Sequence, residues 1–413
     1  MTSSSSRSRL AAASLLAAIG CTPVAAQTPA PAPVPAAAAD DSAYDPIAAM
    51  VARLDLERYK ATVKGLTSFG DRRQGTDRNR AAIDWIEAQL KSYGCAPTER
   101  ITYDYQPPAP RPGAPTSYPP SVPRRPPGGG RFRGNLRPTG VNTDSLAQPD
   151  PKLRALNSQP SSPGERQEVY CTKVGTTHPD EMYIVGGHMD GIGWGEAAND
   201  DGSGTAVVME LARIFSSPDV KTDRSIRFIL WNNEETGLNG ARAYVAQRQA
   251  LQGIESPRGS GKYPEPRWLG MIQHDMMMFD HGMPDADGTV SKVQRREADV
   301  NIEFQSASKF AAEAQKLAWV FANANEKYAT DYPATVGQHM TNTDSAPFQD
   351  IIPAISLREN ERGAQIGAGW DPQWHQPTDL FTTYSDADFR LALNAAQTTL
   401  GAVATLAGAR LAR

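Results

Sequence analysis

Two periodicities of apolar residues alternate along most of the chain. Apolar residues at helical spacing predict helices, and short apolar runs bounded by glycine or asparagine predict buried strands. The predicted strands lie at 168–174, 182–185, 225–231, 269–273, 300–305 and 351–356, and the predicted helices at 205–215, 238–248, 308–328 and 385–407. This alternation predicts the α/β class: a single domain with a mostly parallel, mixed central sheet and helices on both faces.

The chain before this regular part is less uniform. Apolar spacing predicts helices over 45–66 and 78–93, and an alternating pattern predicts a strand over 98–105. The pattern is then lost over 106–166, which is rich in proline, glycine and arginine. Such a composition predicts a flexible or loosely draped insert, with a basic cover that retains acidic substrates as the alternative. We expect one folded domain over 44–413 that contains this insert.

The N-terminus has the pattern of an export signal. Two arginines, a ten-residue apolar core and the small residues at 24–26 predict a signal peptide over residues 1–26. A linker rich in alanine and proline follows over residues 27–43. The apolar core is shorter than the ~20 residues that a membrane-spanning helix needs, so we expect no integral membrane segment. The prediction is an exported protein, either periplasmic or secreted.

The positions of the cysteines help to distinguish a cleaved, free protein from a lipid-anchored one. The segment Ala18-Ile19-Gly20-Cys21 loosely resembles a bacterial lipoprotein cleavage box, and the alternative is therefore a lipid anchor on Cys21. The first position of that box is usually leucine, so cleavage after residue 26 is favoured. Cys95 and Cys171 would then remain, and an oxidising compartment favours a disulfide between them. Two buried free thiols are the alternative.

The charge balance excludes one class of partner. The chain has 42 Lys and Arg residues against 46 Asp and Glu residues, and its formal net charge is −4. Because binding to nucleic acid depends on attraction to phosphates, we expect no nucleic acid as a partner.

Residues of the kinds that bind metal ions lie at the ends of predicted strands, at the start of a helix and in a late loop. They are His188, Asp200, Glu234, Glu235, Asp275 and His375. Singly, each has an ordinary explanation; the Asn-Asp-Asp-Gly run, for example, starts a helix with Asp200 or Asp201 as N-cap. In open α/β sheets, however, ligands bind outside the C-terminal ends of the strands. Two imidazoles and three of these four carboxylates, gathered there, suit a pair of zinc-like ions that share one bridging carboxylate.

Five segments resemble the zinc-dependent exopeptidase family that contains the bacterial leucyl-type di-zinc aminopeptidases. They are GGHMD, AANDDGSG, RFILWNNEETGLNGA, WHQPTD and the strand end at Asp275. Glutamate carboxypeptidase and glutaminyl cyclase are relatives within that family. The resemblance covers roughly residue 167 to the C-terminus, and the segment RRQGT at 72–76 is also similar to the family.

The resemblance implies two zinc ions and a role for each site residue. The implied metal ligands are His188, Asp200, Glu235, Asp275 and His375. Asp200 would bridge the ions; His188 and Asp275 would complete one, and Glu235 and His375 the other. Glu234 would be the general base, and Asp190 would orient His188 and fix its tautomer. One departure is Trp374, which stands where relatives often carry a tyrosine; its indole N–H can only donate.

The implied function is that of an exported metallo-exopeptidase acting on peptide substrates. It would hydrolyse the N-terminal peptide bond with a water activated by two ions and with Glu234 as general base. A carboxypeptidase of the same family is an alternative, which would need a basic residue such as Arg358 or Arg362 for the substrate carboxylate. Another alternative is a non-catalytic surface binding protein on a peptidase scaffold. The intact base and ligand set argue against it.

Overall fold

The computed structural model describes residues 44–107, 141–279, 281, 293, 298–338, 342–359 and 371–412. The chain divides after Tyr44, and Asp45–Arg413 form one compact unit. The predicted signal peptide, the linker and Arg362 lie outside the described residues. Within the described ranges, no helix combines the length and the apolar character needed to cross a bilayer.

The described strands form a large mixed sheet and a small ribbon. In chain order they are β1 Thr98–Tyr105, β2 Gly164–Lys173, β3 His178–His188, β4 Val220–Lys221, β5 Arg224–Trp231, β6 Arg267–His274, β7 Val300–Phe304, β8 Ala334–Gly337, β9 Ala354–Arg358 and β10 Arg410–Leu411. The large sheet has the order β1-β2-β5-β3-β6-β9-β7-β8, and β4 pairs with β10. Its centre, β5-β3-β6-β9, is parallel. Outside this centre, the pairs β1-β2, β2-β5 and β7-β9 are antiparallel, and β7-β8 is parallel.

Helices cover both faces of this sheet. They are α1 Pro46–Val51, α2 Leu56–Thr67, α3 Asp77–Ser92, α4 Pro151–Asn157, α5 Gly202–Phe215, α6 Asn239–Arg248, α7 Ala311–Tyr328 and α8 Asp386–Ala407. Neighbouring residues of β5 point to opposite sides, as the pleat requires. Phe228 packs against Phe215 of α5, with ring centroids 5.8 Å apart, whereas Ile229 belongs to a second apolar cluster with Tyr244 of α6. The predicted α/β fold, mostly parallel and covered on both faces, is confirmed.

The helix predicted over 45–66 is two helices, because an aspartate caps each of them. The side chain of Asp45 accepts from Ile47 N and Ala48 N at the start of α1. The side chain of Asp55 accepts from Arg58 N at the start of α2. Each cap satisfies backbone donors that would otherwise lack a partner, so the chain turns between the two helices.

The insert predicted over 106–166 needs a correction in its second half. Residues 151–157 form α4, with Asp150 as its N-cap and a proline in its first turn, and β2 begins at Gly164. The side chain of Gln148 donates to the carbonyl oxygens of Trp194 (2.8 Å) and Pro377 (3.0 Å). Residues 141–166 are therefore part of the folded domain, because their amides satisfy carbonyl groups of neighbouring loops.

Cys95 and Cys171 form a disulfide. Their Cα atoms lie 5.7 Å apart, and both residues are buried in the main apolar cluster. The bridge joins the turn after α3 to β2, over a separation of 76 residues in sequence.

Candidate metal centre

His188 is the last residue of β3, and a hydrogen bond holds its ring in one orientation. Its Nδ1 lies 2.9 Å from the carbonyl oxygen of Asp190. A carbonyl oxygen can only accept, so Nδ1 carries a proton and Nε2 is the nitrogen that faces the carboxylates. Nε2 lies 3.2 Å from Asp200 Oδ1 and 3.7 Å from Asp275 Oδ1. The side chain is 1% exposed, so these polar contacts are shielded from solvent.

Asp190 contacts His188 through its main chain and not through its carboxylate. Its carboxylate oxygen Oδ1 lies 3.9 Å from His188 Nδ1, farther than its own backbone carbonyl. The same Oδ1 accepts from the backbone N–H of Glu234 at 3.0 Å. Asp190 thus fixes the imidazole through its main chain and fixes the Glu234 backbone through its side chain.

Asp200 lies between the two imidazoles. Its Oδ1 faces His188, and its Oδ2 is 2.9 Å from His375 Nε2. His375 Nε2 is also 2.8 Å from Glu235 Oε2. Burial alone would raise the pKa of the Asp200 carboxyl, but the hydrogen bonds with His188 and His375 outweigh burial and hold that pKa below its usual value. Asp200 is therefore a carboxylate that two positively polarised groups share.

Asp201 was not among the predicted site residues and has a structural role. As N-cap of α5 its Oδ1 accepts from Gly204 N at 2.8 Å and from Met276 N at 3.2 Å. Its Oδ2 accepts from His188 N at 3.0 Å. A cluster of His188, Asp201 and Asp275 also has the spacing of a metal site. Because Asp201 already accepts hydrogen bonds from three backbone N–H groups, we infer that it holds β3, α5 and the end of β6 together. In the sequence, its position as a possible N-cap indicated such a structural role.

Close packing brings the start of α5 against the end of β3. A Cβ atom on Gly187 would lie 2.8 Å from the backbone carbon of Gly204. Real Cβ atoms do not approach backbone atoms so closely, so residue 187 requires glycine. The contact places Asp200, just before α5, beside His188.

A second group of carboxylates supports the loop that carries His375. Asp379 accepts from the backbone N–H groups of Asn199 (2.8 Å) and Asp200 (3.1 Å). Asp371 accepts from the Asn199 side chain at 3.0 Å. Burial, with Asp379 nearby, raises the pKa of Asp371 to about 8, and burial raises the pKa of Asp379 to about 6. Asp379 ends the WHQPTD segment, but sequence reasoning attached no role to it.

Glu234 lies next to Glu235 but does not share the ion pair that Glu235 makes with His375. It lines the same cavity, and no hydrogen bond of its carboxylate to another described side chain is seen. Burial raises the pKa of the Glu234 carboxyl well above its usual value, against the opposing charge of His188, and the nearby Glu235 carboxylate raises it further. A raised pKa is the property expected of a carboxylate that accepts and returns a proton near neutral pH.

The six candidate residues border one cavity of about 380 Å³. Its lining comprises His188, Asp200, Glu234, Glu235, Asp275 and His375, together with Gly237, Leu238, Arg242, Met276, Asn342, Arg358 and Trp374. Donor atoms of His188, Asp200 and Glu235 all lie within 4.8 Å of one another. The Oε1 atom of Glu235 is buried and has no hydrogen-bond partner among the described residues. Buried imidazole and carboxylate donors that converge in this way fit a divalent metal ion.

A family match covers this site. Residues 168–399 match peptidase family M28. The matched region is more than half of the chain, so the chain belongs to peptidase family M28, and the family expected from the motifs is confirmed.

Relatives match over shorter segments, and a solved structure matches over most of the chain. Aminopeptidase YwaD from Bacillus subtilis (strain 168) is 46% identical over 96 residues, which are 23% of this chain and 19% of YwaD. Carboxypeptidase Q from Xenopus laevis is 35% identical over 130 residues, 31% of this chain and 26% of that protein. The chain thus spans about a fifth to a quarter of these relatives. The aminopeptidase from Aneurinibacillus sp. strain AM-1 has the same fold, with a TM-score of 0.56, 20% identity and coverage of 89% of this chain and 97% of that chain.

Proposed function

We propose that this protein is an exported zinc-dependent aminopeptidase that hydrolyses the N-terminal peptide bond of peptides. One observation carries the proposal. The carboxylate of Asp200 lies between His188 and His375, and each imidazole faces one further carboxylate, that of Asp275 or of Glu235. This arrangement would suit two adjacent cations with a shared ligand.

The proposed cofactor is a pair of zinc ions. His188 and Asp275 would hold one ion, Glu235 and His375 would hold the other, and Asp200 would bridge them. Mixed imidazole and carboxylate ligands are those that catalytic zinc takes. When bound, the ions would act as Lewis acids and lower the pKa of a water from ~15.7 toward ~7.

Glu234 is proposed as the general base. Asp190 fixes its backbone through the 3.0 Å hydrogen bond, and Glu234 shares the cavity with the proposed ligands. Its carboxylate would take a proton from the attacking water and deliver it to the leaving amine. The raised pKa of Glu234 supports the first half of this transfer, because a weaker acid has a stronger conjugate base.

The placement of the protein outside the cytoplasm is part of the proposal. A signal peptide over 1–26, a linker over 27–43 and a peptidase domain over 44–413 remain the proposed organisation, with a lipid anchor on Cys21 as the alternative. The disulfide supports export, because such bridges form and persist in oxidising compartments.

Substrate blocking and metal analysis test the proposal on the full chain. We expect two zinc ions per chain by mass spectrometry. We also expect hydrolysis of leucine p-nitroanilide that a chelator abolishes and zinc restores. N-acetyl-leucine p-nitroanilide is the matched control and should not be cleaved. Cleavage of only the blocked substrate would contradict an aminopeptidase, and full turnover without bound metal would contradict a metal-dependent one.

A further inference from the structure

The cavity contains two guanidinium groups that the proposed mechanism does not use. Arg358 is the last residue of β9, and its side chain is 2% exposed. Arg242, on α6, is exposed, and its Nε donates to the carbonyl oxygen of Gly237 at 3.1 Å. Both residues line the cavity with the candidate metal ligands. Arg358 is therefore a buried positive charge beside the candidate metal ligands.

The sheet places Arg358 beside the end of β6. Strands β6 and β9 are parallel, and Leu357 pairs with His274, so Arg358 and Asp275 lie at the same edge. Arg358 Nη2 is 3.9 Å from Asp275 Oδ2; the other oxygen of Asp275 faces His188. Arg358 Nη1 is 3.4 Å from the side-chain oxygen of Asn342. Arg358 is thus separated from the proposed metal centre by a single carboxylate.

The charged side chains that line the cavity fit an anionic substrate group. Two divalent ions would offset the four carboxylates in the lining, which are those of Asp200, Glu234, Glu235 and Asp275. The two guanidinium groups would then supply the remaining positively charged side chains of the lining. Peptides provide anions as carboxylates, and the planar guanidinium binds a carboxylate through two parallel hydrogen bonds.

We propose that Arg358 binds a carboxylate of the substrate and so selects peptides that carry one next to the cleaved bond. This inference rests on the proposed peptidase function. The carboxylate belongs either to an acidic N-terminal side chain or to the C-terminus of a dipeptide. The chemistry of recognition is the same in both cases. Arg242, at the exposed side of the cavity, adds positive potential that attracts such substrates.

Two matched substrate pairs test the proposal and separate the two sources. Glutamyl against glutaminyl p-nitroanilide tests the side chain, and leucyl-alanine against leucyl-alanine amide tests the C-terminus. The measured quantity is the ratio of kcat/KM for the acid to that for its neutral partner. Arg358→Met should lower this ratio about 10- to 100-fold in one pair, the range expected for loss of a hydrogen bond to a charged group. Arg358→Lys should restore part of this ratio, because lysine keeps the positive charge but cannot form the two parallel hydrogen bonds of a guanidinium.

Controls separate substrate recognition from support of Asp275. Arg267→Met makes the same replacement at the start of β6, where Arg267 pairs with Asp180 and Glu181 on the surface, and should leave both ratios unchanged. Zinc content is measured for every variant. The proposal is overturned if Arg358→Met leaves both ratios within threefold of the wild type. It is equally overturned if acid and neutral substrates lose activity alike together with zinc.

A failure of the proposed function gives a different result. If the wild-type protein with zinc hydrolyses none of the four substrates, the peptidase proposal fails. The carboxylate site is then tested alone by calorimetric titration of the zinc-loaded protein with glutarate. Binding by the wild type that is lost in Arg358→Met supports the site, and absence of binding by the wild type overturns it.

Discussion

Glu234 and Glu235 are adjacent in sequence and are proposed to do different chemistry. Replacement by glutamine should therefore have a different effect at each of the two positions. Glutamine keeps the size of the side chain and can neither accept a proton as a base nor bind a metal ion as an anion. Glu234→Gln should keep both zinc ions and lose turnover. Glu235→Gln should lose zinc, because Glu235 Oε2 lies 2.8 Å from His375 Nε2, at the proposed position of one ion.

The expected magnitude follows from the environment of Glu234. A positioned general base contributes about 10²- to 10⁴-fold to the rate, or about 3–5 kcal/mol of activation free energy. Burial raises the pKa of Glu234 above its usual value, which makes its carboxylate a stronger base than that of an exposed glutamate. We therefore expect Glu234→Gln to lower kcat within that range.

The assay combines kcat and KM on leucine p-nitroanilide, zinc per chain by mass spectrometry, and circular dichroism as a check of folding. Near-normal kcat for Glu234→Gln with both ions present would refute its role as the base. Loss of zinc from Glu234→Gln to the same extent as from Glu235→Gln would refute the division of roles between the two residues.

Three further predictions concern stability, each followed by urea denaturation. Burial lowers the pKa of His274 to about 4. The unfolded chain therefore takes up a proton near pH 6.5 that the folded chain refuses, and stability should fall by about 3 kcal/mol between pH 6.5 and 4. His274→Asn should remove that part of the slope; an unchanged slope would contradict it. Replacing Cys95 and Cys171 together by serine should cost about 2–4 kcal/mol, and a reductant should reproduce the loss in the wild type but not in the variant. Gly187→Ala should cost about 1–3 kcal/mol, because its Cβ would meet Gly204 at 2.8 Å; wild-type stability would show that the strand and helix can separate freely.

The sequence predicted those features that depend on nearby residues. Strands and helices follow local periodicity, so β5 and α5 are found within a few residues of their predicted ends. Five of the six metal-type residues were identifiable because each follows a strand or starts a helix, and parallel strands bring such ends to one edge. His375 was identifiable from the late loop segment WHQPTD. The structure places all six of them around one cavity.

Features that depend on contacts between distant segments could not be predicted. Asp379 supports Asp200 across 179 positions, and nothing near Asp379 in sequence indicates that contact. The proline-rich composition before β2 concealed α4, whose stability comes from an N-cap and from packing on other loops. Arg358 was only one of several candidate cations until the register of β9 against β6 placed it beside Asp275.

The disulfide makes a covalent ring of the chain between Cys95 and Cys171. The insert lies entirely within this ring. A protease that cuts once there produces two polypeptides that stay attached to each other, and neither can diffuse away from the sheet. Such a nicked molecule would run as a single band on a gel without reductant and as two bands with it. For a protein proposed to be exported, the bridge keeps a molecule that is cut in this insert covalently in one piece.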